Sequence, residues 1–192
     1  MGGLDKGRLV APDGSPIALR TKRLLEEAGL ACVLVGTPRA AYDELALPAL
    51  ADDPAAAGPL AGLLALLAWA GERAALAVAC DLPRLDRALI ERLVGAPPAA
   101  VVAPRRIAEP GSGRRPGRQA VWEPLFARYD PPRVLPVARA LAASGVHRLQ
   151  RLLDDAGAIA LPLSRDEEAL LDDWDRPEDA LPCDDGRGTN RS

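Results

Sequence analysis

A chain of 192 residues is long enough to bury the core of one domain, and with 48% hydrophobic but only 3% aromatic residues, small aliphatic side chains must fill that core. The formal net charge of −3 supplies no field that would draw in nucleic acid or an anionic membrane, so any anion has to be held by local groups. Cys32, Cys80 and Cys183 are odd in number, far apart and without a Cys-x-x-Cys pair, which argues against a disulfide framework or a zinc site and fits a reducing cytoplasm.

In chain order, residues 15–29 carry apolar positions at Ile17, Leu19, Leu24 and Leu25 and stop at Gly29, as a helix with a glycine C-terminus does. Residues 30–35 read as a buried strand closed by Gly36-Thr37-Pro38, and residues 48–51 as a short strand before Asp52-Asp53. Residues 59–69 form a helix with proline in its first turn. The apolar stretch 60–70 is too short to cross a bilayer, and the N-terminus has no apolar signal core. Residues 74–79 are a buried strand, 86–94 a helix and 99–103 a strand. Residues 105–118, rich in Gly, Pro and Arg, read as a mobile surface loop. A strand at 120–129, helices at 132–143 and 146–155 and a last strand at 158–163 follow. Alternating helices and apolar strands predict an α/β fold, a mostly parallel sheet covered on both sides. Residues 1–182 form the expected domain, and the polar tail 183–192 is expected to be disordered.

Asp81 directly follows the strand at 74–79, at the carboxyl end where open α/β sheets bind ligands. A carboxylate there suits Mg²⁺ bridging nucleotide phosphates, and it equally suits capping the turn before Pro83. Gly58-Pro59-Leu60-Ala61-Gly62 opens a helix with two glycines, so an anion or a base edge can approach its positive end; structural needs alone also place glycine and proline there. Lys6, among the glycines of Met1-Gly2-Gly3-Leu4-Asp5-Lys6-Gly7, is either a phosphate ligand or a solvated terminal residue. His147, the single histidine, reads as a surface or capping residue rather than a general base.

Taken together, Gly-Gly-x-Asp-Lys-Gly at 2–7, Asp-Gly-x-Pro-Ile at 13–17, Gly-Pro-Leu-Ala-Gly at 58–62 and Cys-Asp-Leu-Pro at 80–83 occur in an order and spacing that resembles the molybdenum cofactor guanylyltransferases. Pro124-Leu125-Phe126-Ala127, Gly145-Val146-His147-Arg148 and the segment 173–179 extend the resemblance over essentially the whole chain. It implies a Rossmann-like three-layer nucleotidyltransferase that moves GMP from GTP to molybdopterin and releases pyrophosphate. Nucleotide binding then falls to Gly2, Gly3, Lys6, Asp52, Gly58, Gly62 and Asp81, with Asp53 the alternative to Asp52. Asp81 and Lys6 are the implied catalytic residues, and Asp81 and Asp175 the implied Mg²⁺ ligands. Arg148, Asp173 and Asp175 fall on the molybdopterin side, where a guanidinium suits an anionic phosphate. Asp173 and Asp175 stand where that family has asparagines, and an aspartate facing a phosphate without a metal between them would repel it.

Met1 matches a methionine inside the family's Arg-Met-Gly-Gly segment. The resemblance therefore implies that a loop Leu-Ala-Gly-Gly-x-Ser-x-Arg and the first, central strand delivering it precede Met1. Without that strand the sheet forgoes the burial of at least three apolar side chains, roughly 5–9 kcal/mol against a whole-domain stability of about 5–15 kcal/mol, and two strand edges are left open. Molybdoenzymes or other cofactor-biosynthesis proteins are the candidate protein partners. Two other readings remain: transfer from CTP or onto a sugar phosphate by the same fold, and a non-catalytic cofactor-binding module.

Overall fold

The structure, a computed structural model, describes residues 9–36, 40–107 and 120–172. The opening turn is built by Asp13, whose carboxylate accepts the Ser15 N–H at 3.0 Å and the Ser15 hydroxyl at 2.6 Å, while Gly14 takes the positive φ of 82° the turn needs. Helix α1, Ile17–Glu27, follows, and Gly29 ends it with a φ of 78°. The Asp-Gly-x-Pro-Ile segment thus starts a helix, and Arg20 lies 3.4 Å from the Asp13 carboxylate.

Strands β1, Leu34–Val35, and β2, Ala49–Leu50, pair in parallel, with a 3₁₀ turn at Ala40–Leu45 between them. Helix α2, Pro59–Ala70, leads to β3, Ala75–Val78, and helix α3, Arg87–Val94, to β4, Val101–Ile107. Asp86 caps α3 by accepting the Leu89 N–H at 2.8 Å. Strands β5, Ala120–Trp122, and β6, Phe126–Tyr129, precede helices α4, Pro131–Ala143, and α5, Leu149–Asp155. Strand β7, Ile159–Leu161, and the short helix α6, Arg165–Ala169, close the described chain.

In the larger sheet β6 lies antiparallel between β3 and β4, β5 pairs antiparallel with the second half of β4, and β7 pairs parallel with β4. So β3, β4 and β7 share one direction, and β5 and β6 run against them. Side-chain alternation divides the core into two layers. Ala75, Ala77, Val101, Ala103, Ala127 and Tyr129 pack with α2, α4 and α5 on one face. Val102, Phe126, Leu76 and Val78 meet Leu24 and Leu25 of α1 and Leu89, Ile90 and Leu93 of α3 on the other. This is the three-layer α/β fold expected from the alternating elements.

Several boundaries differ from the sequence reading. The strand at 30–35 contracts to Leu34–Val35, and the strand at 74–79 is buried only at alternate positions, Ala75 and Ala77. Among the described residues, β1 pairs only with β2, over two residues, and β3 only with β6. Residues 105–107, read as loop, extend β4, because Arg105 lies over the Trp122 ring at 5.0 Å and Arg106 finds acceptors on neighbouring segments. The strand at 120–129 breaks at Glu123, whose backbone oxygen accepts the Phe126 N–H in a tight turn. The rest of the 105–118 segment and the tail lie outside the described residues.

Ser15's hydroxyl and then its backbone N–H hold the Asp13 carboxyl below its usual 3.8, with a smaller share from Arg20 and Arg23. A depressed folded-state value means that this contribution is complete above the unfolded value and disappears as pH falls through the folded one. Asp13→Asn should therefore flatten the stability curve below about pH 4, seen by chemical denaturation at a series of pH values; an unchanged acid limb would show that the turn contributes nothing.

Candidate functional site

Strand β3 delivers Asp81. The Ala79 N–H donates to the Leu125 carbonyl at 2.7 Å, the chain turns at Cys80-Asp81, and buried Leu82, Pro83 and Leu85 fasten the next segment into the core. Asp81 is half-buried at that turn. Since Asp86 caps α3, the helix start does not require Asp81. The Leu125 carbonyl is itself held in a braced turn: the Tyr129 hydroxyl, fully buried, donates to the Pro124 carbonyl at 2.7 Å, and the Glu123 N–H donates to the Pro104 carbonyl at 2.9 Å. Burial pushes the Tyr129 phenol far above its ordinary value, so it remains a neutral donor. The Pro-Leu-Phe-Ala segment at 124–127 thereby fixes the strand end that carries Asp81.

Beside this turn, a cleft of about 620 Å³ includes Asp52, Gly58, Pro59, Gly62, Val35 and Cys80 in its lining. The two adjacent aspartates differ in what their carboxylates do. Asp53 accepts the Ala55 N–H at 2.8 Å and closes its own turn, whereas Asp52 lines the cleft. Of the two alternatives, Asp52 is therefore the one facing the candidate site. Gly58 enters α2 with φ 60° and ψ −150°, a conformation essentially confined to glycine. A Cβ on Gly62 would lie 3.1 Å from Val35 Cγ1 and 3.3 Å from Asp52 Oδ1, so the missing side chain lets α2 press against β1 and against Asp52 itself.

Arg148 is exposed at the start of α5, with its side chain making no cap hydrogen bond. Next to it, His147 Nδ1 accepts the Ala57 N–H at 3.4 Å, which ties the α4–α5 connection to the turn entering α2. The sequence reading of His147 as a surface or capping residue missed this bridge, and sequence spacing holds no signal for it, since the partners are 90 residues apart.

A second feature without a sequence signal is Arg106. Its guanidinium donates to Glu123 Oε1 at 2.9 Å, the Glu168 carbonyl at 2.8 Å, Asp172 Oδ1 at 2.9 Å and the Leu171 carbonyl at 3.0 Å. The Arg106 and Glu123 side chains are only 12% and 10% exposed, so the pair depends on having its polar atoms matched. The clamp holds the chain up to the residue before Asp173. Gly2, Gly3, Lys6, Asp173 and Asp175 lie outside the described residues. Among the described residues, no group of three or more metal-ligating side chains is assembled, and no helix is long and apolar enough to cross a membrane.

Residues 1–160 match the family model described as a MobA-like NTP transferase domain. A protein from Pseudomonas putida strain GB-1, named molybdenum cofactor guanylyltransferase, is 32% identical over 184 residues, covering 93% of this chain and 87% of that protein. Another Pseudomonas putida protein of the same name is 36% identical over 159 residues, 80% of this chain and 75% of its own length. Among solved structures, molybdopterin-guanine dinucleotide biosynthesis protein A from Archaeoglobus fulgidus superposes with a TM-score of 0.65 at 16% identity, covering 93% of this chain and 88% of that one. 2-C-methyl-D-erythritol 4-phosphate cytidylyltransferase from Thermus thermophilus gives a TM-score of 0.60 at 17% identity, covering 91% and 90%. At these identities the two structures establish the fold.

Gly62→Ala should push Val35 or Asp52 aside by a few tenths of an ångström and lower stability by about 1–3 kcal/mol, measured by denaturant unfolding; a neutral result would mean that α2 can retreat freely. His147→Ala should speed amide exchange at Ala57 and cost no more than about 1 kcal/mol, because the lost bond is long and exposed.

Proposed function

The chain belongs to the MobA-like NTP transferase domain family, and from that premise we propose that it transfers GMP from GTP to molybdopterin in molybdenum cofactor biosynthesis. The observation that carries this reading is the cleft that Asp52, Gly58 and Gly62 line at the start of α2 and that Cys80, the residue before Asp81, closes from the braced end of β3. The curated relatives that match along most of the chain are named for this activity.

In the reaction an oxygen of the molybdopterin phosphate attacks the α-phosphorus of GTP. The bond from that phosphorus to the bridging oxygen breaks, and pyrophosphate leaves with the electron pair. Little covalent work falls to the protein, so its contribution is position and charge. Asp81 and Asp175 are assigned as Mg²⁺ ligands, and Lys6 as the cation beside the departing pyrophosphate. A half-buried carboxylate at a strand end fits Mg²⁺, an ion that takes one or two carboxylates and completes its shell with substrate phosphates and water. Bound there, the ion would neutralise charge developing on the phosphates. Asp52, Gly58, Gly62, Gly2 and Gly3 bind nucleotide in this scheme. Arg148, Asp173 and Asp175 serve the molybdopterin side, where Arg148 offers an exposed guanidinium to an anionic phosphate. A cytoplasmic location and contacts with molybdoenzymes complete the reading.

With GTP, Mg²⁺ and molybdopterin, the gene product should release pyrophosphate and form the guanylylated cofactor, and Asp81→Ala should lower the rate on the order of 10²-fold or more. Full activity in that variant would overturn the assignment of Asp81. Thermal shift separates the nucleotides, since a ligand that binds only the folded state raises the melting temperature: GTP should raise it more than CTP at equal concentration, and the reverse order would replace guanylyl by cytidylyl transfer.

A further inference from the structure

Asp81 opens a stretch, residues 81–86, that belongs to neither β3 nor α3. Its upstream end is held by the bond from the Ala79 N–H to the Leu125 carbonyl. Its downstream end has no strand ladder, and the bond from the Leu85 N–H to the Leu82 carbonyl is long, at 3.4 Å. Leu82, Pro83 and Leu85 are buried, but apolar burial is non-directional and fixes how deep the segment sits better than how it is turned.

Helix α3 leaves the Leu85 carbonyl without its usual partner. A helical bond to that carbonyl would come from the Leu89 N–H, four residues on. The Asp86 side chain takes that N–H instead, as the N-cap. Leu85 is fully buried, and a buried carbonyl without a donor is costly. The donor comes from α1: Arg20 gives an Nη1–H to the Leu85 carbonyl, 65 residues further along the chain.

Arg20 is itself steered. Its side chain is 20% exposed, and its Nε lies 3.4 Å from Asp13 Oδ2. The other oxygen of that carboxylate, Oδ1, accepts the N–H and the hydroxyl of Ser15. Asp13 is thus fixed by its own turn through one oxygen and directs the guanidinium through the other. Because a guanidinium is a planar fork, holding Nε sets the direction of Nη1. The Asp-Gly-x-Pro-Ile segment at 13–17, which the transfer chemistry does not otherwise use, thereby reaches the stretch that carries Asp81.

We propose that Arg20, oriented by Asp13, is a positioning residue for Asp81, locking the downstream end of the 81–86 stretch as the Leu125 carbonyl locks its upstream end. The role rests on the reading of Asp81 as a ligand for Mg²⁺ and nucleotide in guanylyl transfer. With the Arg20 bond removed, the turn at Asp81 is tied on one side only and can pivot about Ala79. A displacement of about 1 Å in a group that orients reacting phosphates lowers a rate on the order of 100-fold.

The test compares the gene product with Arg20→Met, which keeps the aliphatic stem and removes the donors, and with Arg20→Lys and Asp13→Asn. In metal-free protein, Arg20→Met should speed exchange of the Leu85 amide by roughly 10-fold or more and leave that of Ala77, paired with β6, unchanged. Unaltered exchange at Leu85 would show that the bond does not hold the segment and would overturn the proposal. With GTP, Mg²⁺ and molybdopterin, kcat should fall roughly 10- to 100-fold while the KM for GTP stays within about twofold, and Arg20→Lys, which retains a charged donor, should recover part of the loss. In an Asp81→Asn background the same Arg20→Met change should cost less than about twofold, since a residue acting through another is not additive with it; an equal loss in both backgrounds would leave Arg20 a structural role alone and refute the proposal. Should Arg20→Met not fold, Asp13→Asn, at an exposed turn, takes its place with smaller changes in the same directions, and no change in either Leu85 exchange or kcat would count as refutation. Absence of transfer by the unaltered protein would overturn the reading of function and this role together, whereas transfer by the unaltered protein with an undiminished kcat in Arg20→Met would overturn this role only.

Discussion

Strand β3 is hydrogen-bonded to the described sheet along one edge only, so the position of Asp81 rests on the ladder that β3 makes with β6. That ladder pairs Ala75 with Tyr129 and Val78 with Phe126, and its last bond, from the Ala79 N–H to the Leu125 carbonyl, lies two residues before Asp81. Antiparallel bonds run perpendicular to the strands and fix the relative position of the two chains along their length. Tyr129 adds a second restraint, because its buried hydroxyl can satisfy itself only by holding Pro124 and with it the turn that carries Leu125.

On the other wall the decisive contact is steric. Gly62 permits α2 to approach Val35 and Asp52 more closely than any other residue would allow, and Gly58 permits the chain to enter α2 at an angle that side chains resist. Together they place the positive end of the helix next to an acidic residue at one end of the cleft. The atom missing from Gly62 leaves room for Asp52 to sit where it does.

Two residues, His147 and Arg106, bring the later segments to this frame through long-range hydrogen bonds. His147 joins the Arg148 connection to the turn before Gly58, and Arg106 ties the chain at Leu171 and Asp172 to β4 and to Glu123. The matched partners of Arg106 explain how a largely buried guanidinium is tolerated in a core made mostly of aliphatic side chains. The connections that carry Arg148 and the approach to Asp173 are thus anchored to the same scaffold as Asp52 and Asp81.

What the sequence determined by itself was local and chemical. Apolar runs, glycine stops and proline starts located the longer helices and most of the strands along the chain, because periodicity and backbone chemistry act over a few residues. The position of Asp81 after a strand and the glycines around 58–62 were legible for the same reason. Only the tertiary structure decided that β6 runs against its neighbours, that residues 105–107 join a strand, that Asp53 rather than Asp52 closes its own turn, and that Arg106 and His147 hold distant segments together. Those outcomes depend on which backbone groups meet after the chain has folded, and partners 65 and 90 residues apart leave no periodic trace in the sequence.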